Sequence, residues 1–453
     1  MWRMKTTVSN PIVIIPMQAA QMAAFLDENR HVNSSHVRFE KGAPVLYYRQ
    51  EEGYEVKTLT RALAIFMLLA GIAVWTVPGL SRADEQSPDS AAQFIALNIG
   101  KADCMLLLWE DQAFLIDAGY EQTYAALKTM LSQYGVAHLN GVFLTHCHKD
   151  HYGGLLSLAQ SGLPIDAWYA AEIYYDVKPG QHPAAVAAAS RGTPVTWLKA
   201  GDVVSAGSTG SFTVLGPTSV NDANENNNSL VLRFSCPQGS ILLTGDMKED
   251  EEYDLLRANA FSPTDVLKVG HHGDNKATTL NMLRAVQPKA ALILTSTQEE
   301  IDTPARSTLS RLSATGCAIY VSQEAHDAWQ VTLRNGVPEV TDVYWHDVPL
   351  RAENISLAIG LKDDLLTIRN DGTQPLPLKD CILYSSRGDD MLTLPDASVP
   401  AGGTFTVGSR STKGSSDYQW SGKKIWHQKK YDMAILYDAF GRPLARTDNG
   451  MPE

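Results

Sequence analysis

Four side chains of metal-binding type lie within one short segment of this chain. His146, His148, Asp150 and His151 occupy six positions directly after the apolar run Gly141–Leu144. In an extended segment His146 and His148 point to the same side, because side chains on a strand alternate. Two imidazoles for one cation, with a carboxylate and an imidazole for another, suit Zn²⁺ or Mn²⁺. The spacing therefore predicts a site for two divalent metal ions rather than a solvated histidine-rich loop.

Two further apolar runs end in the same residue types. Asp246 closes the sequence LLTGD, where its carboxylate could bridge two metals, and His271 and His272 follow the run Leu267–Gly270. Three strand ends that each finish in ligand types are hard to explain by packing alone. The three segments are therefore predicted to meet at one site.

The order THxHxDHxGG, LLTGD and LKVGHHG resembles the metallo-β-lactamase superfamily. Within it, the chain is most similar to the hydrolase domain of ComEC-type DNA-uptake proteins. Asn98–Asp103 stands where that group has GQGDA, and Leu115–Gly119 resembles its IDAG motif. The resemblance covers about residues 93–333 and implies an α/β fold, the αββα sandwich of the superfamily.

The resemblance implies two metal sites, with His146 and His148 at the first, Asp150 and His151 at the second, and Asp246 as the bridge. One of His271 and His272 would complete the second site. We favour His271 as the ligand and His272 as the proton donor to the leaving group, although their adjacency leaves the order open.

Three other residues near the motifs carry weaker predictions. Asp117 would orient the histidines without binding metal, or would be a turn residue at a strand end. Lys268 could hold a phosphate oxygen, or could face solvent. With Asp150 and His272, it completes our set of catalytic candidates. Cys147 should point away from its neighbouring ligands by the same alternation.

The chain departs from the superfamily in three loops. Asn226–Ser229 occupies the place where many members have a further histidine, so the first site has fewer strong ligands. Asp274–Lys276 replaces a serine after the HHG motif, and Ser296–Pro304 lacks the Asn/Tyr/His-Pro cluster of the ComEC-like branch. Because both later loops should border the substrate, the bond that is cleaved stays open.

The composition excludes several classes of protein. The chain has 453 residues, a net charge of −12 and 44% hydrophobic residues, so it is neither disordered nor a basic protein that coats nucleic acid. Its five scattered cysteines make no disulfide framework or zinc ribbon. One membrane-like stretch is too few for a polytopic membrane protein.

That stretch, Ala62–Val77, follows basic residues and precedes small ones, which predicts a signal peptide at 56–83 cleaved after Ala83. An uncleaved anchor is the alternative. Residues 1–55 are predicted to be an over-extended N-terminus, with translation starting at Val56, or a cytoplasmic leader. Residues 84–92 read as a linker, and everything after it is predicted to lie outside the cytoplasm.

Apolar strands alternate with helical segments over 93–347, which predicts α/β layers for the hydrolase. Residues 350–453 show short strands and turns, which predicts an all-β immunoglobulin-like sandwich. This part resembles the lamin-tail domain through three segments, Leu366–Gly372, Pro400–Val407 and Ala434–Gly441. Trp420 and Trp426 lie among lysines. They either bind an anionic polymer or pack in the core of the sandwich, and we favour packing in the core.

These observations predict an exported metal-dependent hydrolase in which the metal ions activate water. The leading substrate is a phosphodiester, DNA among the candidates, and the C-terminal domain could bind a cell-surface or wall polymer. Two alternatives remain. The same site could hydrolyse carbonyl or phosphocholine-type esters, or the metal could be structural in a surface-binding protein.

Overall fold

The computed structural model describes residues 13–16, 37–40, 43–48, 91–175, 177–178, 180–345, 354–422 and 424–452. Contacts divide the chain into two units, Met1–Gln86 and Ser87–Glu453. The predicted signal peptide at 56–83 and most of the predicted linker at 84–92 lie outside the described residues. No helix in the described ranges is long and apolar enough to cross a membrane.

The first unit contains a small antiparallel sheet. Its strands, in the order β1–β3–β2, are β1 (Val13–Pro16), β2 (Val37–Glu40) and β3 (Ala43–Tyr48).

The second unit begins with an eight-stranded mixed sheet. Its strands are β4 (Ala92–Leu97), β5 (Met105–Trp109), β6 (Gln112–Ile116), β7 (Gly141–Leu144), β8 (Trp168–Ala171), β9 (Val195–Leu198), β17 (Ala328–Arg334) and β18 (Val337–Val343). The order is β18–β17–β4–β5–β6–β7–β8–β9. Pairing is antiparallel from β18 to β6 and parallel from β6 to β9.

A seven-stranded sheet packs against the first. Its strands, in spatial order, are β10 (Val203–Ala206), β11 (Gly210–Gly216), β12 (Val231–Cys236), β13 (Gly239–Leu243), β14 (Val266–Lys268), β15 (Ala290–Ile293) and β16 (Ala318–Val321). The last four strands are parallel. One apolar core lies between the two sheets and includes Phe143 of the first and Phe212 of the second, whose rings are 4.8 Å apart.

Helices cover the outer faces of both sheets. They are α1 (Tyr124–Gln133), α2 (Lys149–Tyr152), α3 (Leu155–Gln160), α4 (Pro183–Ser190), α5 (Glu249–Arg257), α6 (Leu280–Val286) and α7 (Arg306–Ala314). Helices α1, α3 and α4 pack on the first sheet, and α5, α6 and α7 on the second. The αββα sandwich predicted from the motifs is confirmed. Its continuous apolar strands are needed because each sheet is buried on both faces.

The parallel strands position the predicted chemistry. Asp117 follows β6, His146 follows β7, Asp246 follows β13 and His271 follows β14. The carboxyl ends of parallel strands share one edge of a sheet, so residues distant in sequence become neighbours there.

The C-terminal part is all-β, as predicted. Its strands are β19 (Ile355–Gly360), β20 (Leu365–Asn370), β21 (Leu376–Pro377), β22 (Ile382–Ser385), β23 (Asp390–Thr393), β24 (Ser398–Val399), β25 (Thr404–Gly408), β26 (Tyr418–Gln419), β27 (Met433–Tyr437) and β28 (Pro443–Asp448). Two four-stranded sheets enclose one core that includes Trp420 and Trp426, as we favoured. These buried indoles are not available for stacking on a polymer. The likeness to the lamin-tail domain stays a prediction.

Candidate metal centre

Side chains from three strand ends converge on the carboxylate of Asp246. Asp150, His151, Asp246 and His272 each offer one ligand atom, and these atoms all lie within 4.8 Å of one another. Asp246 Oδ2 is 3.3 Å from His151 Nε2 and 3.2 Å from His272 Nε2. This group has the donor types that the sequence predicted for the second metal.

The first predicted ligand pair lies near the same carboxylate oxygen. His146 Nε2 and His148 Nδ1 face each other at 2.9 Å, and His146 Nε2 is 3.8 Å from Asp246 Oδ2. Asp246 Oδ2 therefore lies within 4 Å of imidazoles from both predicted sites, and its bridging role stays a prediction. Cys147 is buried and is absent from the converging ligand atoms among the described residues.

Hydrogen bonds on the far side of two imidazoles set their tautomers. Asp117 Oδ2 accepts from His151 Nδ1 at 2.8 Å, and the Leu294 carbonyl accepts from His272 Nδ1 at 2.7 Å. When Nδ1 carries the proton, Nε2 keeps a free lone pair, which is the form that binds metal. Asp117 thus supports a histidine, the first of the two alternatives that the sequence left open.

Buried polar atoms that lack hydrogen-bond partners indicate that the site fits a divalent cation. Both Nε2 atoms, of His151 and His272, and Asp246 Oδ1 are buried with no hydrogen-bond partner in the described part of the chain. Buried polar atoms without partners are costly in a folded protein. A cation held by these donors would satisfy them, so the residues match the metal that the motifs imply.

The electrostatics of the cluster favour positive charge. Burial opposes protonation of His272, but Asp246 and Asp150 raise its pKa to about 9. Burial would raise the pKa of Asp246, yet His272 and His151 hold it well below its ordinary value. The carboxylates thus attract cations strongly, and a bound metal would replace protons on the imidazoles.

The geometry reverses the order that we favoured for the adjacent histidines. His272 is fully buried within the ligand group, whereas His271 Nε2 lies 3.9 Å from Asp246 Oδ2 and accepts from Asn226 Nδ2 at 3.1 Å. Both residues have left-handed backbone, with φ of 42° for His271 and 54° for His272. This tight turn brings His272 inward, which strand alternation does not predict.

Lys268 does not face solvent, which rules out one of the two alternatives for it. Its side chain is completely buried, and its ammonium pairs with Asp103, donates to the Gly245 carbonyl at 2.8 Å and lies 3.6 Å from Asp246 Oδ1. Lys268 therefore balances the charge of two carboxylates beneath the ligand group.

Sequence reasoning missed two supporting residues. Asp103 is fully buried, pairs with Lys268 and lies 3.6 Å from His272 Nδ1. Its place in the GQGDA-like segment was the available signal. Ser229 Oγ accepts from the Asp246 backbone N–H at 3.0 Å and so positions the bridging carboxylate from the loop that replaces the usual histidine.

Comparison with known proteins finds the same superfamily that the motifs resemble. Residues 98–297 match the Metallo-beta-lactamase superfamily. This segment is a metallo-beta-lactamase domain. The match of this segment supports a metal-dependent hydrolase and is consistent with the ligand group described above.

Three curated relatives of this metallo-beta-lactamase domain are similar over part of their length. ComE operon protein 3 of Bacillus subtilis (strain 168) is 29% identical over 44% of the chain and 27% of that protein. Competence protein ComA of Neisseria gonorrhoeae is 26% identical over 63% of the chain and 40% of that protein. Recombination protein 2 of Haemophilus influenzae is 24% identical over 49% of the chain and 26% of that protein. The chain thus spans less than half of the length of each. The predicted ComEC-type resemblance is confirmed.

Proposed function

We propose that this protein is an exported hydrolase that cleaves phosphodiester bonds with two divalent cations, Zn²⁺ or Mn²⁺. The observation that supports it is the convergence of Asp150, His151, Asp246 and His272 within 4.8 Å, with buried imidazole nitrogens aimed at the carboxylates. A structural metal needs no open position, but here Asp150, His148 and His271 are partly exposed.

Cations bound in this site would activate water at neutral pH and stabilise negative charge that develops on the substrate. His151 and Asp246 would hold them from the buried side, and Asp117 would keep the His151 ring in its binding tautomer. His271 is 16% exposed in its side chain and borders the ligands, so its imidazole is able to contact a bound substrate.

Phosphodiester chemistry is favoured by the names of the relatives. One of them is named for competence and one for recombination, processes that handle DNA. Their names also favour a membrane or cell-surface location, consistent with the signal peptide predicted at 56–83. The protein's net charge of −12 disfavours long-range attraction of a polyanion, so we assign recruitment to local cations at the site.

The test is a substrate panel on the full chain reconstituted separately with Zn²⁺ and Mn²⁺. Single-stranded and duplex DNA, bis-p-nitrophenyl phosphate, p-nitrophenyl acetate and p-nitrophenyl phosphocholine are compared, with Asp150→Asn as the inactive control. Hydrolysis of the phosphodiesters by the wild type alone supports the proposal.

Two results would overturn it. Turnover confined to the acetate or phosphocholine ester would assign the same site to ester hydrolysis. No turnover of any substrate, with chelation lowering the unfolding temperature, would assign the metal a structural role.

A further inference from the structure

The C-terminal sandwich contacts the hydrolase at the loops that border the ligands. Asp389, in the turn before β23, forms an ion pair with Lys149, which lies between the ligands His148 and Asp150. Farther along the sandwich, Arg442 Nη1 donates to Asp327 Oδ1 at 2.9 Å and is 10% exposed in its side chain. The sandwich is thus packed beside the metal centre.

A partly buried carboxylate joins the sandwich to the loop before Asp103. Tyr437, at the end of β27, donates its hydroxyl to Glu299 Oε1 at 2.6 Å. The other oxygen of Glu299 accepts the backbone N–H of Lys101. A Cβ at Gly100 would lie 2.6 Å from both Glu299 oxygens, so only glycine allows this approach. Glu299 therefore couples Tyr437 directly to the backbone that carries Lys101.

The segment that carries Lys101 lies against the loop of the metal ligands. Its Nζ pairs with Glu300 Oε2 at 2.5 Å, and two residues on, the Asp103 N–H donates to the Asp150 carbonyl at 3.0 Å. Burial opposes the charged form, yet the pKa of Lys101 is raised because Glu300 lies against it. The carboxylates of Asp150 and Asp246 add to this effect.

We propose that Lys101 recognises the anionic group of the substrate at the metal centre and that the C-terminal sandwich sets its position through Tyr437 and Glu299. This inference rests on the proposed function, because it concerns the same substrate. Lys101 stands within the segment that resembles GQGDA, at the position of its glutamine, and Glu299 lies in the loop that departs from the ComEC-like branch. The two positions at which this chain differs from the ComEC-like branch are therefore in contact.

Glu300 acts as a competitor for the same ammonium. Its side chain is 39% exposed, whereas that of Lys101 is 19% exposed. An anionic substrate can displace the more exposed carboxylate into solvent and pair with the lysine in its place. Removing the lysine charge and removing the glutamate charge should therefore change binding in opposite directions.

The experiment measures binding and turnover with the metal-loaded full chain. Binding is followed by fluorescence anisotropy of a short oligothymidylate whose phosphorothioate linkages resist hydrolysis. Turnover of bis-p-nitrophenyl phosphate gives KM and kcat separately. The variants are Lys101→Gln, Glu300→Gln and Tyr437→Phe, with Lys128→Gln on the exposed face of α1 as the control for lost charge.

We expect Lys101→Gln to weaken probe binding and raise KM about tenfold, the loss of one charge-assisted contact, with kcat changed less. Glu300→Gln should tighten binding about threefold, and Tyr437→Phe should weaken it about threefold without touching the ligands. Lys128→Gln should match the wild type. Glu299→Leu removes the same coupling from the hydrolase side if Tyr437→Phe fails to fold.

Unchanged probe binding in Lys101→Gln, or weaker probe binding in Glu300→Gln, would overturn the inference. If the ion pair were only structural, removing either charge would weaken binding. A wild type that does not bind the probe would overturn it as well. If the binding changes have the expected signs but no phosphodiester is cleaved, the proposed function fails and this inference stands. If phosphodiesters are cleaved but Lys101→Gln binds the probe as tightly as the wild type, the proposed function stands and this inference fails.

Discussion

Replacing Asp117 by Asn should weaken metal binding although Asp117 is not a ligand. Its Oδ1 accepts from the Thr145 backbone N–H at 2.8 Å, and its Oδ2 accepts from Thr145 Oγ1 at 2.7 Å and from His151 Nδ1 at 2.8 Å. In the variant, the amide oxygen must stay on the backbone donor, so the amide nitrogen faces His151. That nitrogen can only donate, which forces His151 Nδ1 to accept and moves the ring proton to Nε2.

The proton on Nε2 then occupies the ligand position. Asp117 is fully buried, so water cannot restore the original hydrogen bond. Loss of a carboxylate that orients a metal-binding histidine typically costs about ten- to a hundredfold in affinity, or about 1.4 to 2.8 kcal/mol. We expect a decrease in this range for the cation held by His151.

Competition with a fluorescent chelator measures this affinity for Zn²⁺ and Mn²⁺. Asp111→Asn is the matched control, because Asp111 is exposed in the turn between β5 and β6 of the same sheet. The unfolding temperature of the metal-free variant shows whether the fold is intact. An Asp117→Asn protein that folds and binds metal as tightly as the wild type would refute the tautomer argument.

Three further predictions concern single positions. His272→Ala should lose one bound cation by mass spectrometry of metal content while His271→Ala keeps both, and the opposite outcome would restore the order favoured from the sequence. Burial against aromatic rings lowers the pKa of His182 from 6.5 to about 4. Protonation therefore favours the unfolded state, and the free energy of unfolding should fall by up to roughly 3 kcal/mol as pH drops from 6.5 to about 4. Urea titrations at both ends of this window should show a smaller fall in His182→Phe, and an equal fall would contradict the assignment. Lys268→Met leaves Asp103 buried without its cation and should lower the free energy of unfolding by about 3 to 5 kcal/mol. Adding Asp103→Leu should recover much of the lost free energy of unfolding. An unchanged loss in the double variant would argue against the Lys268–Asp103 ion pair as its cause.

The candidate ligands could be selected from the sequence because their signal is local. An apolar strand followed by His146 and His148, or by Asp246, can be recognised from a few neighbouring residues. The αββα layers follow from apolar runs separated by helical segments, which reflect burial of both sheet faces. The all-β character of the C-terminal part came from strand and turn patterns of the same local kind.

The choice between His271 and His272 needed the backbone. Consecutive left-handed residues rotate the side chains away from the alternation of an extended strand, and the sequence carries no sign of that turn beyond its flanking glycines. Burial of Lys268 was also hidden, because a lysine is usually exposed unless a partner from elsewhere in the chain neutralises it.

The sequence by itself determined which residues could bind metal, the strand ends that carry them and the superfamily they resemble. Tertiary structure alone decided which imidazole enters the ligand group, that Asp103 and Lys268 neutralise each other beneath it, and that Tyr437 reaches Glu299 beside Lys101. The physical reason is separation along the chain. Ligand types and strand periodicity are read over a few residues, whereas a charge pair or hydrogen bond between distant segments exists only after the sheets and the sandwich have packed.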